Sequence, residues 1–216
     1  MPVGFEDPRE AQLQRAPRLI DGSIGKQLAS WWLASANQRT RTPNFDIAST
    51  CKIGEVPGLL LVEAKAHEDE LTHEAGGKLL RRKPSRSEKV EGAEDIRDPN
   101  HVRIGAAIEE ARAGLQHMTS LPWNISRDTC YQMSNRFAWA WKLTQLGIPV
   151  VLVYLGFLRA VDMSKPFAND AAWECLVKAQ SQALFPPQVW GQQWGAGVNT
   201  LVPLIRSMEL RNELWA

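Results

Sequence analysis

The sequence predicts an α/β fold, a single domain with a central mixed β-sheet flanked by helices. Three observations carry this. Ile148-Pro149-Val150-Val151-Leu152-Val153-Tyr154-Leu155-Gly156-Phe157-Leu158 is continuously apolar and rich in β-branched residues, as expected of a buried, central strand. The stretch from Thr42 to Glu70 reads as carrying two short strands folded about a turn. Segments of helical period lie between these strands and after them, the alternation that builds α/β domains.

The chain has 216 residues, which suits one domain with a substantial core. Its 25 basic and 24 acidic residues leave a net charge of +1, so any nucleic-acid surface must be a local patch. Cys51, Cys130 and Cys175 are widely spaced, and no Cys-x-x-Cys occurs. That spacing indicates neither a disulfide framework nor a structural zinc site, and reduced thiols are the simple reading. No apolar run approaches the roughly 20 residues that span a bilayer, and the N-terminus has no signal-peptide core. The expectation is an intracellular, cytoplasmic protein with no membrane partner.

Residues 1–20 are polar and contain Pro2, Pro8 and Pro17, a composition expected of a loosely held arm ahead of a domain spanning 21–216. Asp21-Gly22-Ser23 caps a helix with Ile24, Leu28, Trp31 and Ser35 on one stripe, and Trp31-Trp32 are core residues. In the hairpin, Phe45, Asp46 and Ile47 alternate, Gly54 to Gly58 supply the turn, and Leu59 to Val62 form the second strand. Residues 76–99 are charged, with paired glycines, two prolines and little apolar content, and read as a loop insertion. Asn100 caps a helix with Ile104, Ile108, Ala111 and Leu115 on one face. A further helix carries Cys130, Phe137, Trp141 and Thr144, and Gly147 ends it. Asn169-Asp170 starts another helix with Trp173, Leu176 and Val177, broken before Pro186-Pro187. A Trp-rich loop with Trp190 and Trp194 then leads into a last strand from Thr200 to Met208, where Pro203 argues for an edge position.

The chemistry concentrates at the hairpin. Glu63 and Lys65 share a face because strand side chains alternate with period two, whereas Asp46 joins that face only in one register. In that register two carboxylates and a lysine meet where an apolar strand ends. Such a group is costly unless the charges are paired or bind a cation. Two carboxylates with a backbone carbonyl are hard ligands of the kind that hold Mg²⁺, and a lysine beside the ion can align the attacking water. Otherwise, Glu63 and Lys65 form a surface cross-strand pattern with no catalysis.

Asp46 followed by Glu63-Ala64-Lys65 resembles the PD-(D/E)-x-K nuclease superfamily, whose motif is an Asp on one strand and a Glu-x-Lys on the next. The helix–Gly–Ile-Pro–strand passage at 147–149 is similar to the second half of that core. Pro43 lies three residues before Asp46 rather than beside it. The acid that the family often adds from the preceding helix has no counterpart in 23–37, Asp21 being the nearest. The resemblance implies a restriction-endonuclease-like core and metal binding by Asp46, Glu63 and the Ala64 carbonyl, with Lys65 as the catalytic lysine. It further implies Mg²⁺ as the ion, with Mn²⁺ as a substitute, and hydrolysis of nucleic-acid phosphodiesters, DNA being favoured over RNA. The rival is a catalytically inactive module of the same fold that binds nucleic acid or a protein partner; assembly into a homo-oligomer is compatible with either.

Other polar groups qualify as nucleic-acid contacts. Arg81, Arg82, Lys83 and Arg86 in the charged loop read either as solvated charge or as a phosphate-contacting arm. Gln132, Asn135, Arg136 and Trp139, three and four residues apart, line one helical stripe. Surface polarity is the simpler account of that stripe. Gln132 and Arg136 are nonetheless candidate phosphate contacts, since Tyr131-Gln132 is similar to the glutamine some superfamily members carry on a helix after the catalytic strands. His67 and His73 are six positions apart, about 240° around a helix, which excludes the His-Glu-x-x-His zinc arrangement. No phosphate-binding glycine loop supports nucleotide hydrolysis.

Overall fold

A computed structural model describes residues 10–35, 42–74, 77 and 99–209. The sheet has four strands in the order β1 (Ile47–Ile53), β2 (Val56–Lys65), β3 (Val150–Leu158) and β4 (Leu201–Glu209). It is mixed. β1 and β2 are antiparallel, whereas β2, β3 and β4 run parallel. The expected α/β domain, with a mixed sheet flanked by helices, is what the chain forms.

The hairpin turns on two residues, Gly54 and Glu55, with Ile53 paired to Val56. Gly54 takes a positive φ of 59°, which a glycine adopts without steric cost. The turn is therefore shorter than the expected Gly54 to Gly58, and Pro57 and Gly58 belong to β2. Gly58 instead permits close approach to the next strand, since a Cβ there would lie 2.5 Å from the Pro149 carbonyl oxygen. That approach matters for register: the Leu59 amide donates to the Pro149 oxygen at 2.8 Å, setting β3 against β2.

Parallel strands need crossovers. Between β2 and β3 the chain forms α2 (Glu68–Glu74), α3 (Pro99–Thr119) and α4 (Tyr131–Gln145); between β3 and β4 it forms α5 (Asp170–Ser181). Crossovers of this kind are almost always right-handed, so two that advance in the same direction lie on one face of the sheet. Contacts agree. Arg136 of α4 bonds Glu63 on β2. A Cβ on Gly156, which pairs with Lys65, would meet the Trp173 ring of α5 at 2.6 Å.

The face so covered carries Ala48, Leu59, Leu61, Val150, Leu152, Tyr154 and Leu201, all buried in the main core. The alternate positions Leu60, Val151, Leu155, Val202 and Leu204 are apolar and half-buried.

α4 is buried on nearly every side, because α3, α1 (Gly22–Trp32) and the sheet all pack on it. The expected stripe of Cys130, Phe137, Trp141 and Thr144 is buried, and so is much of the polar stripe beside it. Aromatic packing fixes the helix. Phe137 lies 4.6 Å from Phe185 and 5.5 Å from Trp190, whose ring is 5.4 Å from Tyr154 on β3. On the opposite side of the helix Trp139 packs edge-on against Trp32 of α1 at 5.9 Å. Gly147, with φ 79°, follows the helix end as expected.

Asp21 caps α1 by accepting from the Ser23 amide at 2.7 Å, and Asn169 caps α5 from the Ala172 amide at 2.9 Å. Asn100 differs from expectation. It is the second residue of α3, and its Oδ1 accepts from the Ser35 amide at 3.0 Å, tying α3 to the end of α1. β4 is an edge strand as Pro203 foretold, and the Trp-rich loop lies along it: the Gly191 amide donates to the Pro203 oxygen at 2.8 Å. Residues 10–20, the described part of the expected arm, pack into the domain. Ala11 pairs with Phe45, and Ala11, Leu13 and Ile20 are buried. Most of the charged stretch 76–99, including Arg81, Arg82, Lys83 and Arg86, lies outside the described residues. No disulfide joins Cys51, Cys130 and Cys175.

Gly114 provides a test of the α3–α4 contact. An exposed helix interior gains about 1 kcal/mol when glycine becomes alanine. Here the added Cβ would sit 2.2 Å from Cζ2 of Trp141. Gly114→Ala is expected to lose roughly 1–3 kcal/mol in urea unfolding through overpacking; a gain in stability would contradict this packing.

Candidate functional site

The site assembles at the C-terminal end of β2, and each partner arrives for a local reason. Glu63 and Lys65 point to the helix-covered face because they alternate in phase with the core residues Leu59 and Leu61. Asp46 lies one residue before β1, where the bridge between Phe45 and Ala11 holds the chain. Its amide donates to the Val62 oxygen at 3.0 Å, and its carboxylate accepts from the Ala64 amide at 2.7 Å. The register left open by the sequence is thereby resolved: Asp46 lies beside Glu63, close enough for the two charges to act on one another.

α4 completes the group. Gln132 and Arg136 are one turn apart on the same side of the helix. Glu63 Oε1 accepts from Lys65 Nζ and from Gln132 Nε2, while Oε2 accepts from Arg136 Nε at 2.5 Å. Glu63 is 1% exposed, and Lys65 and Arg136 are each 7% exposed. Arg136 is held further by Asn135, whose Oδ1 accepts from Nη1 at 2.6 Å, and by the Phe45 ring, 5.1 Å from the guanidinium carbon.

The two carboxyls respond to this setting in opposite ways. Burial by itself would push the Glu63 carboxyl up, but Arg136 and Lys65 outweigh it and hold the group below its ordinary value. Burial and then the Glu63 charge push the Asp46 carboxyl above its ordinary value, although the Ala64 amide, Lys65 and Arg136 pull it down. Asp46 therefore remains short of positive charge. Nearby, burial pushes the Tyr131 hydroxyl up to about 12.

Of the residues singled out in the sequence, the structure gathers Asp46, Glu63, Lys65, Gln132 and Arg136, with Ala64 contributing its amide to Asp46. Gln132 and Arg136 are not surface polarity. They are directed inward at Glu63. Asp21 is committed to the α1 cap. Glu70, close behind the strand, accepts from the Ala66 amide at 2.7 Å and so closes the turn into α2. Phe45 and Asn135 are scaffolding the sequence did not assign to the site. Asn135 sat on the polar stripe, and Phe45 adjoined Asp46, but only the crossing of α4 over the hairpin shows that both hold Arg136.

No protein-family model matches the chain, and neither a curated protein nor a solved structure matches it. The site has to be read from its own chemistry.

The pH dependence follows from the two shifts. The depressed Glu63 contributes stability that is present above its ordinary value of 4.5 and lost as pH falls through its folded value. The raised Asp46 acts in reverse: its ionisation costs stability as pH rises from the ordinary 3.8 through its folded value. Without metal, Glu63→Gln should lose about 3–5 kcal/mol at neutral pH by stranding Lys65 and Arg136. Asp46→Asn should instead be more stable than wild type at neutral pH, with the difference vanishing below pH 3.8. Thermal unfolding of the three proteins across the acid range checks both signs; destabilisation by Asp46→Asn at neutral pH would contradict the crowding of the two carboxylates.

Proposed function

We propose that this chain is a metal-dependent nuclease of the PD-(D/E)-x-K type, with a restriction-endonuclease-like core, hydrolysing phosphodiester bonds with DNA favoured over RNA. The observation that carries the reading is the convergence of Asp46, Glu63 and Lys65 on one end of β2. These residues are contributed by a hairpin, as the motif requires.

The donor set fits a divalent ion. Asp46 and Glu63 bring hard carboxylate oxygens from adjacent chain segments, and burial and the Glu63 charge hold the Asp46 carboxyl above its ordinary value, a cost that a cation would offset. Asp46, Glu63 and the Ala64 carbonyl would hold Mg²⁺, or Mn²⁺ in its place. When bound, the ion polarises the phosphoryl oxygen and makes water a better nucleophile.

The remaining work belongs to the chain. Lys65, restrained by Glu63, holds its ammonium at the metal-binding oxygens, where it orients the attacking water and offsets charge on the phosphate. Gln132 and Arg136 present donors from α4 to the same point, the arrangement that phosphate oxygens accept. The covered face of the sheet, closed by the aromatic core, keeps these charges away from bulk water and so strengthens each interaction.

A second reading is favoured by one observation: both Glu63 oxygens are already bonded to protein donors, as in a structural ion cluster. On that reading the fold binds nucleic acid or a protein partner and cuts nothing.

A cleavage assay separates the two. Labelled single-stranded, double-stranded and branched DNA and RNA would be incubated with Mg²⁺, Mn²⁺ or EDTA. Metal-dependent cutting is expected, reduced in Lys65→Ala by a factor on the order of 10²–10⁴ and abolished in Asp46→Ala. Folded protein that binds these substrates but cuts none of them would establish the binding module instead.

A further inference from the structure

Glu63 is bonded on both oxygens: Oε1 to Lys65 and Gln132, Oε2 to Arg136 at 2.5 Å. A carboxylate coordinates a cation through the same lone pairs that accept hydrogen bonds. Three donors hold Glu63, two on Oε1 and one on Oε2, so an ion entering between Glu63 and Asp46 through Oε2 is brought against the positive charge of Arg136 on that same oxygen.

The three donors are not equivalent. Gln132 is neutral, and a divalent ion does not repel it. Lys65 comes from the same strand, two residues on, and shares Oε1 with Gln132. Arg136 alone carries a positive charge onto Oε2. It reaches Glu63 from a different element, α4, and its guanidinium also lies over Phe45, the residue before Asp46. It spans the two segments that supply the carboxylates. Its own anchors, Asn135 Oδ1 at 2.6 Å and the Phe45 ring, do not depend on Glu63. The guanidinium can leave Oε2 and remain tethered beside the site.

We propose that Arg136 is the resident counter-cation of the Asp46–Glu63 pair and that it and a divalent ion exclude one another at Glu63 Oε2, so that Arg136 sets how tightly the site takes its ion. The ion's presence rests on the nuclease reading above. In this role Arg136 is a positioning residue. The exchange keeps a buried carboxylate compensated in both states: by the guanidinium without the ion, by the ion with it. Once displaced, the guanidinium needs a new acceptor, and an anionic phosphodiester oxygen supplies one.

The test uses the full chain and Mn²⁺ alone, with free ion followed by electron paramagnetic resonance and no nucleic acid present. Wild type, Asp46→Asn, Arg136→Gln and Arg136→Lys are compared, with circular dichroism confirming the fold of each. Arg136→Gln should bind Mn²⁺ roughly tenfold more tightly, within the 5- to 150-fold span of ordinary site–site coupling. Arg136→Lys should tighten binding less, because it keeps the charge but loses the planar hold on the carboxylate. The sign decides the matter, since a residue that only supports the fold leaves metal affinity unchanged or weaker.

Unchanged or weaker binding in folded Arg136→Gln, with Asp46→Asn weaker than wild type, would overturn the exchange and leave the metal site standing. Should Arg136→Gln fail to fold, wild-type affinity in folded Arg136→Lys would overturn it equally. Equal Mn²⁺ affinity in wild type and Asp46→Asn would remove the ion from this pair, and with it both the metal-site reading and the role of Arg136.

Discussion

The Glu63 carboxylate, almost wholly removed from water, is the constraint on which the rest of the domain depends. A buried charge of this kind costs several kcal/mol unless it is paired and hydrogen-bonded. The fold meets that requirement from three directions: Lys65 from the same strand, and Gln132 and Arg136 from the helix above. Breaking any one charged contact strands its partner. The position of α4 over β2 is accordingly fixed by electrostatics at its N-terminal end and by aromatic packing of Phe137 and Trp139 further along.

This arrangement places the charged group at the end of the sheet where the hairpin, the crossover helix and the strand exit coincide. Asp46 is the exception to the balance. Its carboxylate has a backbone amide for a partner, yet burial and Glu63 keep it above its ordinary range. The Ala64 amide, Lys65 and Arg136 offset part of that cost, and the half-buried position of Asp46 leaves its carboxylate partly in reach of water.

The aromatic cluster explains how so polar a site is held firmly. Trp123, Phe137, Phe185 and Trp190 pack with ring centroids 4.6 to 5.7 Å apart beneath α4, and Tyr154 extends the group to β3. Large rings contribute much buried area with few rotatable bonds. Side chains projecting from such a helix are positioned to within small tolerances, as a catalytic or binding group requires.

Much of this was legible in the sequence. Period-two and helical spacing gave the strands and helices, Asp21 and Asn169 their caps, Pro203 the edge strand, and Glu63 and Lys65 their common face, because each of these depends on residues near in the chain. The turn is shorter than its local pattern suggests because Gly58 admits Pro149, which lies just ahead of β3 and far along the chain. Residues 10–20 lacked a strong pattern of their own and gain their burial from pairing with Phe45. The side of the sheet on which Asp46 lies depended on register, and the inward direction of Gln132 and Arg136 on how α4 crosses the hairpin. Neither is a local property. A helix's polar stripe reads the same in sequence whether it meets water or a buried carboxylate. The sequence by itself determined which groups were chemically capable, and only the tertiary structure decided which of them meet, since contacts between distant segments are set by packing and not by spacing along the chain.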